Sequence, residues 1–117
     1  MKERFAIIND VFASLIEAYS LKGVRQNDYV YQILNDKISI VFMFERFDEG
    51  FLVFLEDLNA SRQYPIWQLF DKKGNPKIEI DFSSDKFTRN LIWHKEFITK
   101  YLAKELTGDF TAVQDSS

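Results

Sequence analysis

The sequence predicts an α+β fold: an antiparallel four-stranded meander with an N-terminal and a C-terminal helix packed on one of its faces. Three observations lead there. Apolar residues recur at helical spacing near both ends of the 117-residue chain. Between those ends they alternate with polar residues at the period of strands. The connections within the alternating region are mostly a few residues long, too short for the crossover that parallel neighbours need.

The first helix is expected over residues 3–20. Phe5, Ile8, Phe12, Leu15 and Tyr19 step by three and four, and Ile7, Val11, Ile16 and Ala18 widen the stripe. Glu3, Asp10 and Glu17 recur every seven residues on the opposite side, and Gly23 is the expected stop. Tyr29 to Leu34, rich in aromatic and β-branched residues, is the first strand, followed by an Asn35-Asp36 turn. In the second strand, 37–45, Ile38, Ile40, Phe42 and Phe44 share one face. After the Asp48-Glu49-Gly50 turn, residues 51–56 are apolar on both faces up to Glu56. Residues 64–71 read either as a strand or, preferred, as a short helix started by Pro65. Lys77 to Phe82 alternates and is the expected fourth strand. The last helix covers 85–106, with Ser84 or Asp85 as its N-cap. Residues 1–110 therefore form one domain, and 111–117 form a loose polar tail.

If the Ile38–Phe44 series takes both helices, the other face of the sheet carries Val41, Met43, Leu52 and Phe54 among Lys37, Ser39, Glu45 and Glu56. That half-wet face is the most informative surface the pattern predicts.

Composition narrows the function. Fifteen Lys and Arg against eighteen Asp and Glu give a formal charge of −3, without the cation surplus that nucleic-acid binding requires. Lys72, Lys73 and Lys77 surround a Gly-Asn-Pro turn and read as solvated loop charge. There is no cysteine, so disulfides, thiol nucleophiles and thiolate metal sites are excluded. No apolar run approaches the ~20 residues that span a bilayer, and the acidic N-terminus does not resemble a signal peptide. A cytoplasmic protein with no membrane partner is expected.

The motifs of catalysis are missing. No Gly-rich phosphate loop, nucleophile elbow or zinc-protease helix occurs. The carboxylates at Glu45, Asp48 and Glu49 and at Glu56 and Asp57 lack calcium-loop spacing. His94, the single histidine, falls on the apolar arc of the last helix with no orienting carboxylate beside it in sequence. The chain is therefore expected to be a non-enzymatic binder with no cofactor and no metal.

Aromatic residues are 16% of the chain, and several crowd the second hairpin. Arg46 stands there among acids, the wrong balance for a base-stacking platform. Glu45, Phe47, Asp48, Glu49 and Phe51 form instead an acidic, aromatic tip suited to a protein partner, with Glu3, Asp10 and Glu17 as the second choice. Two other classes stay open. One is a small-molecule pocket near His94, lined also by Trp93 and Tyr101. The other is self-association through Leu52 and Phe54 on an uncovered sheet face, giving a homodimer.

Trp93-x3-Phe97-x3-Tyr101-Leu102, followed by Gly108-Asp109-Phe110, resembles the C-terminal end of small uncharacterised bacterial α+β proteins, some of them regarded as immunity proteins encoded beside polymorphic or contact-dependent toxins. The resemblance covers about the last quarter of the chain. It implies a small cytosolic binder that occludes a toxin domain, often a basic nuclease, and it carries over no catalytic residue.

Overall fold

A computed structural model of the chain describes residues 2–45, 50–80 and 85–113, with side chains from Arg4 onward. The fold is α+β, and its antiparallel sheet has five strands rather than four. They are β1 (Lys22–Arg25), β2 (Val30–Leu34), β3 (Ile38–Phe44), β4 (Phe51–Asp57) and β5 (Arg62–Pro65). Each pairs with the next, in the order β1-β2-β3-β4-β5.

β2, β3 and β4 are the strands the alternation predicts. β1 and β5 are additions, and the strand expected over 77–82 is absent from its described part, 77–80. Residues 77–80 are irregular, and 81–82 lie outside the described residues. The alternation of Lys77-Ile78-Glu79-Ile80 serves a connection that lays Ile78 against the core, while β5 occupies the sheet edge. The segment 64–71 is strand and then helix. β5 ends at Pro65, which has no N–H to donate, and α3 (Ile66–Lys72) follows at once.

Register divides the sheet into two faces. Tyr31, Phe42 and Val53 stand in one row, and Ile33, Ile40, Leu55 and Tyr64 in the next. All seven are buried in one hydrophobic cluster. The helices bring their apolar stripes to this same face. The expected first helix is interrupted at Phe12, giving α1 (Lys2–Val11) and α2 (Ala13–Ala18). The last is interrupted at Leu102, giving α4 (Lys86–Tyr101) and α5 (Ala103–Leu106). Both interruptions fall on side chains wholly removed from solvent. Hydrogen bonds still run through them, from Phe12 N–H to the Ile8 carbonyl and from Leu102 N–H to the Ile98 carbonyl.

Aromatic pairs lock the layers together. Phe5 stacks on Tyr31 at 4.8 Å, Phe12 meets Phe42 edge-on at 5.2 Å, and Phe87 lies 6.2 Å from Phe44. Each such pair adds about 0.5–1.5 kcal/mol beyond the area it buries. Asp85 is the α4 cap: its carboxylate accepts from the Thr88 N–H at 3.1 Å and from the Thr88 hydroxyl at 2.7 Å. Those bonds, the hydroxyl's first, hold its pKa below the ordinary carboxylate value.

Gly23 is not the helix stop. A left-handed residue, Ser20 (φ 54°), turns the chain after α2, and Gly23 lies inside β1 opposite Ile33. Its missing side chain makes room for Tyr31, whose hydroxyl donates to Asn9 Oδ1 at 2.7 Å. A Cβ on Gly23 would sit 2.0 Å from that hydroxyl oxygen.

At the far end of the core, α5 buries Glu105 completely. Its Oε2 lies 3.2 Å from Lys73 Nζ at the end of α3, and its Oε1 has no hydrogen-bond partner. The chain then enters a 3-10 turn, Thr111–Val113, that buries Val113. The rest of the segment expected as a tail, 114–117, lies outside the described residues.

Candidate functional site

The second face of the sheet is built by the other half of the alternation. Its rows are Val30, Met43 and Leu52; Val24, Gln32, Val41, Phe54 and Pro65; and Lys22, Leu34, Ser39, Glu56 and Gln63. The helices contribute their buried apolar residues to the cluster on the opposite face, to which none of these side chains belongs. Several large apolar groups here are wet: Met43 is 40% exposed, Leu52 50%, and Trp67, one residue into α3, 69%, while Val41 between them is buried and Phe54 half-buried. Ser39 is buried, and its hydroxyl accepts from Gln32 Nε2 at 3.2 Å.

Two acids bound the apolar strip. Glu45 continues β3 one register step beyond Met43, and its N–H donates to the Gly50 carbonyl at 3.1 Å. Glu56 pairs with Ser39 at the other end. Three steps of two residues separate their rows, about 20 Å along the strands. Neither acid has an ion-pair partner among the described residues.

A notch of about 110 Å³ opens beside this strip. β5 stops at Pro65, which pairs with Phe54, so residues 51–53 of β4 run on paired with β3 on one side and with no strand on the other among the described residues. Phe51 to Phe54, Pro65 to Trp67 and His94 line the gap. Its volume fits one large side chain and falls well short of the ~300 Å³ at which small-molecule pockets begin.

His94 reaches the notch from α4, its ring 5.6 Å from Phe51 and 5.0 Å from Trp93. Nδ1 lies 2.7 Å from the Asn90 carbonyl oxygen. A carbonyl can only accept, so Nδ1 carries the proton and Nε2 is the free acceptor of the neutral ring. Burial lowers the pKa of His94, against a smaller opposing pull from the Asn90 carbonyl. The unfolded chain, with its histidine near pH 6.5, therefore binds a proton before the folded one does. Stability is expected to fall as pH drops below about 6.5, with no contribution from this group above that. Melting temperatures between pH 7.5 and 5.5 check this: His94→Phe should flatten the decline, and an unchanged slope would assign it to other groups.

The expected site residues are distributed unevenly. Glu45 is exposed, whereas Phe51 is half-buried, its ring 5.8 Å from Phe44 and 5.4 Å from Phe87. Phe47, Asp48 and Glu49 lie outside the described residues, as does the side chain of Glu3. Asp10 and Glu17 are exposed. Of the three residues expected around a pocket, His94 lines the notch while Trp93 and Tyr101 do not. Trp93 stacks on Phe97 and meets Phe70, and Tyr101 stacks on Phe97, so these rings fill one another's space. The residues the sequence did not single out are Pro65 and Trp67. The signal for Trp67 is its place off the side of α3 that buries Ile66 and Leu69.

Against family models, curated proteins and solved structures, the chain has no match in any of the three comparisons. A second, open groove of about 490 Å³ lies at the other end of the sheet, lined by Tyr19, Ser20, Lys22, Val24, Leu34, Asn35 and Asp36. The Asn35 amide there is already spent: its Oδ1 accepts from the N–H groups of Lys37 and Ile38, and its Nδ2 donates to the Tyr19 carbonyl. Among the described residues no three His, Asp or Glu side chains gather as a metal site would require, and no helix is long and apolar enough to cross a membrane.

Proposed function

We propose that this chain is a non-enzymatic protein-binding module of the cytoplasm that acts by covering a site on its partner, in the manner of an immunity protein against a bacterial toxin domain. The observation that carries the reading is the uncovered sheet face, where Met43, Leu52 and Trp67 stand exposed beside half-buried Phe54 and Pro65. Large apolar side chains contiguous on a surface favour a macromolecular contact, with aromatic anchors at its centre and charge at its rim. The notch supports it further: it admits one side chain, and His94 is the single ionisable group on its walls.

Co-expression tests the reading. The chain is expected to restore growth to a host producing the toxin domain encoded beside its gene. A Leu52→Asp, Trp67→Ala variant should lose that protection while keeping its melting temperature within a few degrees, because both positions are half or more exposed. A variant that protects fully would show that this face is not the contact.

The same face favours one second reading, a homodimer through Leu52 and Phe54. Light scattering separates the two, since self-association would double the mass as concentration rises without any partner.

A further inference from the structure

Resting on the reading of the sheet face as a protein contact, we infer that its occupant is a basic amphipathic helix of the partner, laid along β3 and β4 with cations at both ends of its apolar stripe.

The argument is one of charge and length. On the open face of β3, β4 and β5 the charged positions are Glu56 and, one step past β3, Glu45; Lys37, expected on this face, lies instead in the turn before β3 beside Gly108, and Lys22 stands two strands away on β1. The cation on β5, Arg62, pairs in register with Asp57 and lies over the Tyr64 ring, on the covered face. The apolar strip of exposed Met43 and Leu52 and half-buried Phe54, over the buried Val41, lies between the two acids. A partner seated on it must bury apolar surface and answer a negative charge at each end. At 1.5 Å per residue, the ~20 Å between the acid rows corresponds to about thirteen residues of helix. A helix is also about 10 Å across, enough to cover two strands some 4.8 Å apart. Its apolar residues at i, i+3, i+4 and i+7 would meet the strip, and one long side chain would enter the notch between Phe54 and Trp67.

The probe is a fluorescein-labelled peptide of about sixteen residues, leucine at the helical positions of one face and lysine elsewhere, with a control in which glutamate replaces every lysine. Fluorescence anisotropy against the full chain should show saturable binding of the lysine peptide, weakening with salt, and no binding of the glutamate peptide. Leu52→Asp should abolish it. Glu45→Lys with Glu56→Lys should weaken it about tenfold, each reversal acting at an exposed ion pair. Equal binding of both peptides, or of neither, overturns the inference. So does an unaltered affinity in the double charge reversal, or a concentration-dependent dimer that excludes the lysine peptide. If co-expression shows protection lost in the Leu52→Asp, Trp67→Ala variant while the lysine peptide fails to bind, the contact face stands and the basic-helix occupant falls.

Discussion

Gly23→Ala is expected to lower the unfolding free energy by about 2–3 kcal/mol, a large loss for a single methyl group at a sheet edge. The new Cβ would stand 2.0 Å from the Tyr31 hydroxyl oxygen, 2.9 Å from the ring carbon that bears it and 3.3 Å from Asn9 Oδ1. The phenol cannot swing away freely. Its ring is stacked on Phe5 at 4.8 Å, and its hydroxyl is tied to Asn9. Either β1 lifts from the sheet or the Tyr31–Asn9 bond breaks. Tyr31→Phe decides the mechanism. Alone it removes one hydrogen bond, a cost of about 1 kcal/mol, and it also removes the nearest obstacle. Gly23→Ala in that background should cost at least about 1 kcal/mol less than in the native chain. Urea midpoints of the four proteins give the coupling, and equal costs in the two backgrounds would exonerate the phenol.

Lys73→Met is expected to destabilise by about 3 kcal/mol or more, because it leaves the fully buried Glu105 carboxylate with no countercharge. The pair is not an efficient source of stability as it stands: Glu105 Oε1 has no hydrogen-bond partner. Replacing both members should therefore be nearly neutral. Lys73→Met with Glu105→Leu is expected to unfold within about 1 kcal/mol of the native chain, since two well-packed apolar groups commonly equal or exceed a buried ion pair. A double variant as weak as the single one would show that the pair itself, and not the stranded charge, stabilises the contact of α3 with α5.

These two sites mark the limit of what the amino-acid pattern could reveal. The central strands were legible because Ile38, Ile40, Phe42 and Phe44 alternate with smaller or polar residues, and because burial of one sheet face imposes that period. The same logic correctly assigned Met43, Leu52 and Phe54 to the other face. β1 was not legible. Lys22-Gly-Val-Arg has no alternation of its own, and Gly23 looks like a stop until Tyr31 is seen passing beneath it. β5 and the irregular segment 77–80 show the converse. Arg62-Gln-Tyr-Pro pairs because β4 offers it an edge, while Lys77-Ile-Glu-Ile alternates without reaching one. In the candidate site, Glu45 was visible as one of a run of acids. The notch was not, because it arises from where a proline ends a strand, a tertiary consequence no spacing rule encodes.

The sequential order of the five strands bears on how the molecule is made. Every hairpin closes locally, so the whole sheet can assemble while synthesis is still under way. Its apolar side has α1, α2 and the short α3 to shelter it at that stage, and α4 begins at residue 86. Until that last quarter leaves the ribosome, Phe44 and Phe51 lack their ring partner Phe87 on the nascent chain, the interval when a chaperone or a wrong partner has its best opportunity.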